Sequence, residues 1–157
     1  MLKIYIDADA CPVREETYKV GIRHGVPVCV VSNSFLRVLP HKLISRVIVS
    51  DGFDAADDYI AERAGTHTVV ITSDILLAQR CVHMGAKVLA PNGKAFTENN
   101  IGTAVATRAI MEDLRAGALG ESGSGNFGGP PPFSPADRSR FLQELHTTVE
   151  RMKRGTG

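Results

Sequence analysis

Leu2-Lys3-Ile4-Tyr5-Ile6-Asp7-Ala8-Asp9 joins a short, mostly apolar run to two acids separated by one residue. An apolar run of about four to six residues is typical of a buried parallel strand. In an extended segment alternate side chains point the same way, so Asp7 and Asp9 are predicted to face one site just beyond that strand. The simpler interpretation of this pair is a turn followed by a helix cap.

Two further apolar runs end in acids in the same way. Residues 47–50 precede Asp51 and Asp54, and residues 68–72 precede Asp74. In an open parallel sheet the ligand site lies beyond the carboxyl ends of the strands. Acids that are far apart in the sequence are therefore predicted to meet in one crevice.

The order of elements predicts the fold. Strands are predicted at residues 2–6, 26–31, 46–50, 68–72 and 87–90. Helices are predicted at 14–23, which follows Pro12, and at 54–64, 74–84 and 97–115. A short segment at 36–45 is predicted to be helical after Pro40. Strands that alternate with helices of about ten to fifteen residues indicate βαβ units. We expect an α/β fold: a three-layer, mostly parallel sheet with helices on both faces.

Length and composition narrow the class of protein. A chain of 157 residues with 43% hydrophobic residues is about the size of one domain, predicted here as 1–157. The formal charge of +1 gives no global basic field, and the three cysteines lack CxxC spacing. No apolar run approaches the ~20 residues that span a membrane. We expect a soluble, cytoplasmic protein that does not enter a membrane; its oligomeric state stays open.

The C-terminal part changes composition. Residues 117–134 are rich in Gly, Ser and Pro and are predicted to form a loop. Ser134 then opens a helix over 134–153, in which Phe141, Leu145, Val149 and Met152 recur at helical spacing. Such a stripe is typical of core packing.

The acids form the pattern that carries chemistry. Crowded carboxylates repel one another unless a cation neutralises them, so Mg²⁺ or Mn²⁺ is the expected cofactor, and at least one acid is expected to have a raised pKa without it. The candidate ligands are Asp7, Asp9, Asp57, Asp58 and Asp74, with Asp54, Thr72 and Ser73 in support. A helix cap alone would also explain Asp54 or Asp74.

Longer motifs resemble a known family. They are Asp7-Ala8-Asp9-Ala10-Cys11-Pro12, Asp51-Gly52-Phe53-Asp54-Ala55-Ala56-Asp57-Asp58-Tyr59-Ile60, Ile71-Thr72-Ser73-Asp74-Ile75, Asn99-Asn100-Ile101, Gly128-Gly129-Pro130 and Asp137-Arg138. Together they resemble the YaiI/YqxD family of uncharacterised bacterial proteins, which is similar to the PIN-like domain group. The resemblance also favours a docked loop over a floppy tail at residues 117–134.

Better-known PIN-like proteins are Mg²⁺- or Mn²⁺-dependent nucleases. The resemblance implies catalytic roles for Asp7, for Asp58 or Asp57, and for Asp74, and it adds Asn100 as a supporting residue. The implied function is cleavage of phosphodiester bonds, with single-stranded RNA favoured over DNA. The basic residues Arg37, Lys42 and Arg46 are the candidates to contact the nucleic-acid backbone.

Two other functions stay open. In a phosphatase of haloacid-dehalogenase type, Asp7 and Asp9 would act as nucleophile and acid, and Ser32 would supply a hydroxyl. In a non-catalytic module, the acids would hold a structural ion, or the protein would bind RNA without turnover. The sequence contains no P-loop and no GxGxxG motif.

Overall fold

A computed structural model describes residues 1–9, 11–50, 52, 54–121 and 132–155, the side chains of 118–121 excepted. It contains β1 Lys3–Asp7, α1 Arg14–His24, β2 Val28–Ser32, β3 Ile44–Ile48, α2 Ala55–Arg63, β4 Thr68–Ile71, α3 Ile75–His83, β5 Lys87–Leu89, β6 Ala95–Phe96, α4 Glu98–Glu121 and α5 Pro135–Lys153. The candidate Asp51 and the Gly128-Gly129-Pro130 motif lie outside the described residues, and so does most of the loop predicted at 117–134.

Among the described residues, the sheet has six strands in the order β3-β2-β1-β4-β5-β6. Every pairing is parallel except that of β6, which runs antiparallel to β5. The predicted three-layer, mostly parallel α/β fold is therefore confirmed. The strand order reverses at β1, which pairs with β2 on one side and with β4 on the other. Ligands bind at such a point of reversal in open α/β sheets, which puts the carboxyl ends of β1 and β4 at the expected site.

The two sheet faces carry separate cores. Alternate residues of β1 point to opposite faces, so Tyr5 joins the core under α2, α3 and the start of α4, whereas Ile4 and Ile6 join the core under α1 and α5. Both cores are built mainly from Val, Ile, Leu and Ala. Strands β1, β2 and β4 are buried on both faces, as the near-continuous apolar runs predict, whereas β3 at the edge of the sheet is largely exposed.

Helix α5 covers one face through the predicted stripe. Phe141, Leu145, Val149 and Met152 are all buried in the core that α5 shares with α1. Ser134 caps the helix by accepting a hydrogen bond from the Asp137 N–H, and the Asp137 carboxylate accepts one from the Ser134 N–H in return. This reciprocal capping fixes the start of the helix.

The prediction of a helix within residues 36–45 was wrong. Residues 33–40 have no regular secondary structure, and β3 already begins at Ile44. After Pro40, where the helix was expected, His41 forms an isolated antiparallel bridge with Ile44, and residues 42–43 form a turn. The Leu43 carbonyl instead accepts a hydrogen bond from the Val28 N–H, so this segment extends the sheet pairing of β2.

Two further boundaries differ from prediction. Helix α4 continues to Glu121, so the first residues of the predicted loop at 117–134 are helical. Strand β6 was missed because two residues are too short for any periodicity to be detected. Within the described part of the chain, no helix is long and apolar enough to cross a membrane.

The packing of α5 can be tested at neighbouring positions. Leu145→Ala should lower the free energy of unfolding by about 2–5 kcal/mol, because Leu145 is fully buried and its removal leaves a cavity. Leu142→Ala, at a side chain that is 39% exposed, should cost about 0.5 kcal/mol or less. Urea denaturation of both variants measures the difference; equal losses would contradict this packing of α5.

Candidate active site

Asp7 is the deepest acid of the site. It ends the central strand β1 and is only 7% exposed. Its Oδ2 accepts a hydrogen bond from the Thr72 hydroxyl at 2.8 Å, and its Oδ1 lies 3.5 Å from the Asp9 N–H. Burial raises the pKa of the Asp7 carboxyl; the Thr72 and Asp9 bonds oppose this, and the charges of Asp74 and Asp9 add to it.

Thr72 connects Asp7 to Asp74. It directly follows β4, and its hydroxyl oxygen accepts a hydrogen bond from the Asp74 N–H at 3.0 Å while it donates to Asp7. Asp74 itself caps α3, and its Oδ1 accepts from the N–H groups of Leu76 and Leu77. One buried hydroxyl therefore holds the two strand ends, and their acids, in a fixed relation.

Asp57 reaches the same place from α2. Its pKa is raised to about 6, first by burial, then by the charges of Asp74, Asp7 and Asp54, and by a side-chain hydrogen bond with Asp74. Two carboxyl groups can form such a bond only when one of them holds a proton. The expected raised pKa is thus found for Asp7 and Asp57, and its cause is burial together with neighbouring negative charge.

Asp54 also faces this place, although not in the predicted manner. It occupies the N-cap position of α2, but its side chain makes no capping hydrogen bond. Its φ of 67° is in the left-handed region, and it is the only residue other than glycine with positive φ among those described. Such backbone is more costly for residues with a side chain and is concentrated at functional sites.

These side chains line an open crevice of about 290 Å³. Its walls contain Asp7, Asp9, Asn33, Asp54, Ala56, Asp57, Ser73 and Asp74. Five of the eight lining residues are acids, and all of its polar side chains present oxygen donors. Such a set suits a hard divalent cation. As the side chains stand, no group of three or more His, Cys, Asp and Glu is arranged to hold a metal ion within the described residues.

The structure does not bring every predicted residue to the crevice. Asp58 points away, and its Oδ1 accepts a hydrogen bond from Arg80 Nη1 at 2.8 Å in an exposed ion pair. Asn100 lines a separate, larger cavity, and its side chain binds Ala95 and Thr97 at the corner between β6 and α4. The sequence pattern allowed either Asp57 or Asp58 as the acid that α2 contributes to the crevice, and in the structure it is Asp57.

The predicted basic residues Arg37, Lys42 and Arg46 are exposed, on or beside the segment that leads into β3. The Arg46 guanidinium lies 4.3 Å from the centre of the Phe35 ring and donates to the Leu36 carbonyl. Phe35 is 66% exposed. This segment begins at Asn33, which lines the crevice, so the acids and the basic residues are joined by one short stretch of chain.

Sequence reasoning missed Asn33 and Phe35. Asn33 follows β2, so the rule that selected Asp7 and Asp74 at strand ends would have found it if applied to polar residues other than acids. Phe35 carries no such signal, because a single exposed aromatic residue in an irregular segment has no periodicity.

The crowding of Asp57 and Asp74 can be tested through the titration of Asp57. Carbon-detected NMR of the metal-free protein should show Asp57 titrating at about 6. Asp74→Asn should lower the pKa of Asp57, because it removes the neighbouring charge that raises this pKa most. Asp58→Asn should leave the pKa of Asp57 nearly unchanged. A wild-type Asp57 that titrates near 3.8, its ordinary value, would contradict the crowding described above.

The same shift predicts a pH dependence of stability. A carboxyl with a raised pKa holds its proton more tightly in the folded state, so the free energy of unfolding should fall as pH rises from 3.8 to about 6. Asp57→Asn should therefore stabilise the metal-free protein at pH 7, by about 1 kcal/mol once solvent screening is allowed for. Asp58→Asn loses an exposed ion pair and should destabilise slightly. Thermal and urea unfolding at pH 4 and pH 7 measure both effects; stabilisation by both variants would indicate a general charge effect.

Comparison with known proteins gives the family. The model of "Uncharacterized BCR, YaiI/YqxD family" matches residues 5–151. A UPF0178 protein of Sphingopyxis alaskensis is 64% identical over 152 residues, which are 97% of this chain and 96% of that protein. UPF0178 proteins of Rhodopseudomonas palustris (strain BisB5) and Rhodospirillum centenum are 54% and 50% identical, over 97% and 99% of this chain and 89% and 99% of theirs. No solved structure matches.

Proposed function

The chain belongs to the YaiI/YqxD family, and we propose that it is a divalent-metal-dependent nuclease that cleaves phosphodiester bonds of single-stranded nucleic acid, RNA before DNA. The observation that carries the proposal is the convergence of Asp7, Asp57 and Asp74 on one crevice, where Thr72 links the buried Asp7 to Asp74. These three acids, two at or just after strand ends and one in the first turn of α2, meet there, and no Lys or Arg lines the crevice among the described residues. With a pKa of about 6, Asp57 is mostly ionised at pH 7, so the crevice carries several negative charges that a divalent cation would neutralise.

Asp7, Asp57 and Asp74 are the residues that would hold the ion, with Asp9 and Asp54 at the rim of the same crevice. When bound, Mg²⁺ or Mn²⁺ supplies charge to polarise a phosphodiester and lowers the pKa of bound water. The chain's own contribution is to keep Asp7 oriented through Thr72 and to hold Asp74 at the start of α3. The side chains must still converge to share an ion, because no ready group of ligands exists among the described residues.

The surroundings of the crevice favour nucleic acid over a small phosphate ester. Phe35 and Arg46 form an exposed aromatic and cationic pair, and Arg37 and Lys42 are exposed near them. Bases stack on exposed aromatic rings and on guanidinium groups, whereas the phosphates are attracted to Lys and Arg. The order of the acids, after β1, in α2 and after β4, also agrees with the PIN-like resemblance, with Asp57 in place of Asp58.

The phosphatase alternative fits the site less well. Its nucleophile would be Asp7, which is 7% exposed and has one carboxylate oxygen bonded to Thr72. Its hydroxyl would come from Ser32, but that side chain is bonded within its own turn, to the N–H and the carbonyl of Ser34. A binding module without turnover has the same acids, so activity separates it from the nuclease.

Neighbouring acids on α2 provide a matched test. With Mn²⁺, wild type and Asp58→Asn should cleave labelled single-stranded RNA, whereas Asp57→Asn and Asp74→Asn should be slower by about a hundredfold or more, because each loses a candidate metal ligand. Mn²⁺ should raise the melting temperature of wild type and Asp58→Asn and have much less effect on the other two.

Single-turnover assays run in parallel with Mn²⁺ and with EDTA give the rates. Equal cleavage by all four proteins would show a contaminating nuclease. A Mn²⁺-induced thermal shift without cleavage of RNA or DNA would favour the binding module, and loss of activity in Asp58→Asn alone would return the catalytic role to that residue.

A further inference from the structure

A second cavity, larger than the crevice, lies on the other side of the α3 start. Its volume is about 780 Å³, and much of its wall is apolar, formed by Ile75, Phe96, Ala104 and Phe133. Ligand pockets of small molecules measure roughly 300–1,000 Å³ and are mostly apolar with a few polar groups. The size and the lining therefore suit an organic group rather than an ion.

The two cavities adjoin at Ser73. This residue lines both of them, and it stands between Thr72 and Asp74, which hold the acids of the crevice. A group seated in the larger cavity would therefore lie next to a phosphate seated at the crevice. The larger cavity is placed to hold the part of a substrate that flanks the reacting phosphodiester.

The larger cavity carries the opposite charge from the crevice. Lys94 and Arg108 line it together with one acid, Asp137, whose carboxylate is already paired with Arg140; the Lys94 ammonium has no hydrogen bond or ion pair with any described residue. Arg108 contacts Glu112 at 3.2 Å, an exposed pair that contributes little and leaves the guanidinium accessible. An occupant that combines an apolar, planar body with negative charge matches this lining.

The wall is preformed. Asn100 binds the Ala95 carbonyl and the Thr97 N–H, which fixes the corner where β6 leads into α4. The Arg138 guanidinium lies 5.0 Å from the centre of the Phe133 ring, and Arg138 is anchored to Glu16 by an ion pair of 2.6 Å. Phe133 is thereby supported from outside the cavity while it contributes to the lining.

We propose that this cavity binds one nucleotide of a single-stranded nucleic acid, with its base against the apolar wall and its phosphate near Lys94 and Arg108. The inference rests on the proposed nuclease function for the class of substrate. The proposed site extends that function, because the protein would then recognise an unpaired base of the substrate as well as its phosphate backbone. A base within a duplex remains stacked and could not enter.

Binding in EDTA tests the cavity independently of catalysis. Fluorescence anisotropy compares a labelled single-stranded RNA of about twelve nucleotides with the same chain made entirely of abasic units. The intact RNA should bind about tenfold more tightly, the change expected for one stacked base. Thr107→Trp, which fills the cavity from an exposed position of α4, should reduce this preference to what stacking of a base on Phe35 contributes, and Ala106→Trp, at the adjacent exposed position outside the lining, should retain it in full.

Lysine variants test the charge. Lys94→Ala should weaken binding of the intact and abasic chains alike by about threefold to tenfold and reduce the salt dependence, because it removes a phosphate contact. Lys87→Ala is the matched control, since Lys87 is exposed on β5 and lines a different cavity. Equal affinity of wild type for the intact and abasic chains, or a preference that is undiminished in Thr107→Trp, would overturn the inference.

A Mn²⁺ thermal shift separates this result from the proposed function. Thr107→Trp should keep the wild-type shift, because none of the crevice acids is changed, while its cleavage of RNA falls. If wild type shows neither a Mn²⁺ shift nor cleavage, the nuclease proposal fails, and the base preference in EDTA still decides whether the cavity binds a nucleotide. If cleavage is metal-dependent but unaffected by Thr107→Trp, the nuclease proposal stands and the nucleotide site does not.

Discussion

A carboxylate at the end of the central strand imposes the main constraint on this structure. Asp7 is nearly inaccessible to water, and burial of a charged group is costly unless it is hydrogen-bonded or paired. The described residues supply one strong side-chain bond, from Thr72, and no positive charge is among the causes that shift the pKa of Asp7. Asp74 and Asp57 then add negative charge nearby. The fold has therefore concentrated charge at one place at the expense of its own stability, which is common at functional sites.

The sheet topology explains why the negative charges are concentrated at the carboxyl ends of β1 and β4. Because β1 pairs with both β2 and β4, the chain must leave the carboxyl ends of β1 and β4 in opposite directions, and a gap opens between the departing segments. Thr72 spans this gap: it donates to Asp7 and accepts from the Asp74 N–H. The start of α3 contributes two N–H groups to Asp74, which stabilise negative charge there. Among the described residues, no backbone N–H is found hydrogen-bonded to the Asp57 carboxylate, which agrees with its raised pKa of about 6.

Much of this arrangement could be predicted from sequence, for identifiable reasons. Buried parallel strands are continuous apolar runs, so β1, β4 and β5 were found nearly at their true limits, and the strand-end rule then located Asp7 and Asp74 together. Sequence reasoning failed where contacts between distant parts of the chain determine the direction of a side chain or the conformation of a segment. Asp57 and Asp58 both follow Asp54 by one helical turn, and only Arg80, which lies 22 positions further along the chain, draws Asp58 away. The segment before β3 was misread because its partner, the backbone of Val28, cannot be inferred from local propensity.

The contrast between the two cavities bears on how the protein would discriminate among substrates. An acidic crevice alone binds a cation and, through it, any phosphate, so it offers little selectivity. Specificity requires groups that remain unsatisfied when the wrong ligand is bound. On the other side of Ser73, the apolar wall around Phe96 and Lys94, which pairs with no described residue, would both be left without partners by a bare phosphate. Discrimination by this chain would therefore depend on the residues of the larger cavity, and the acids of the crevice would set whether reaction occurs at all.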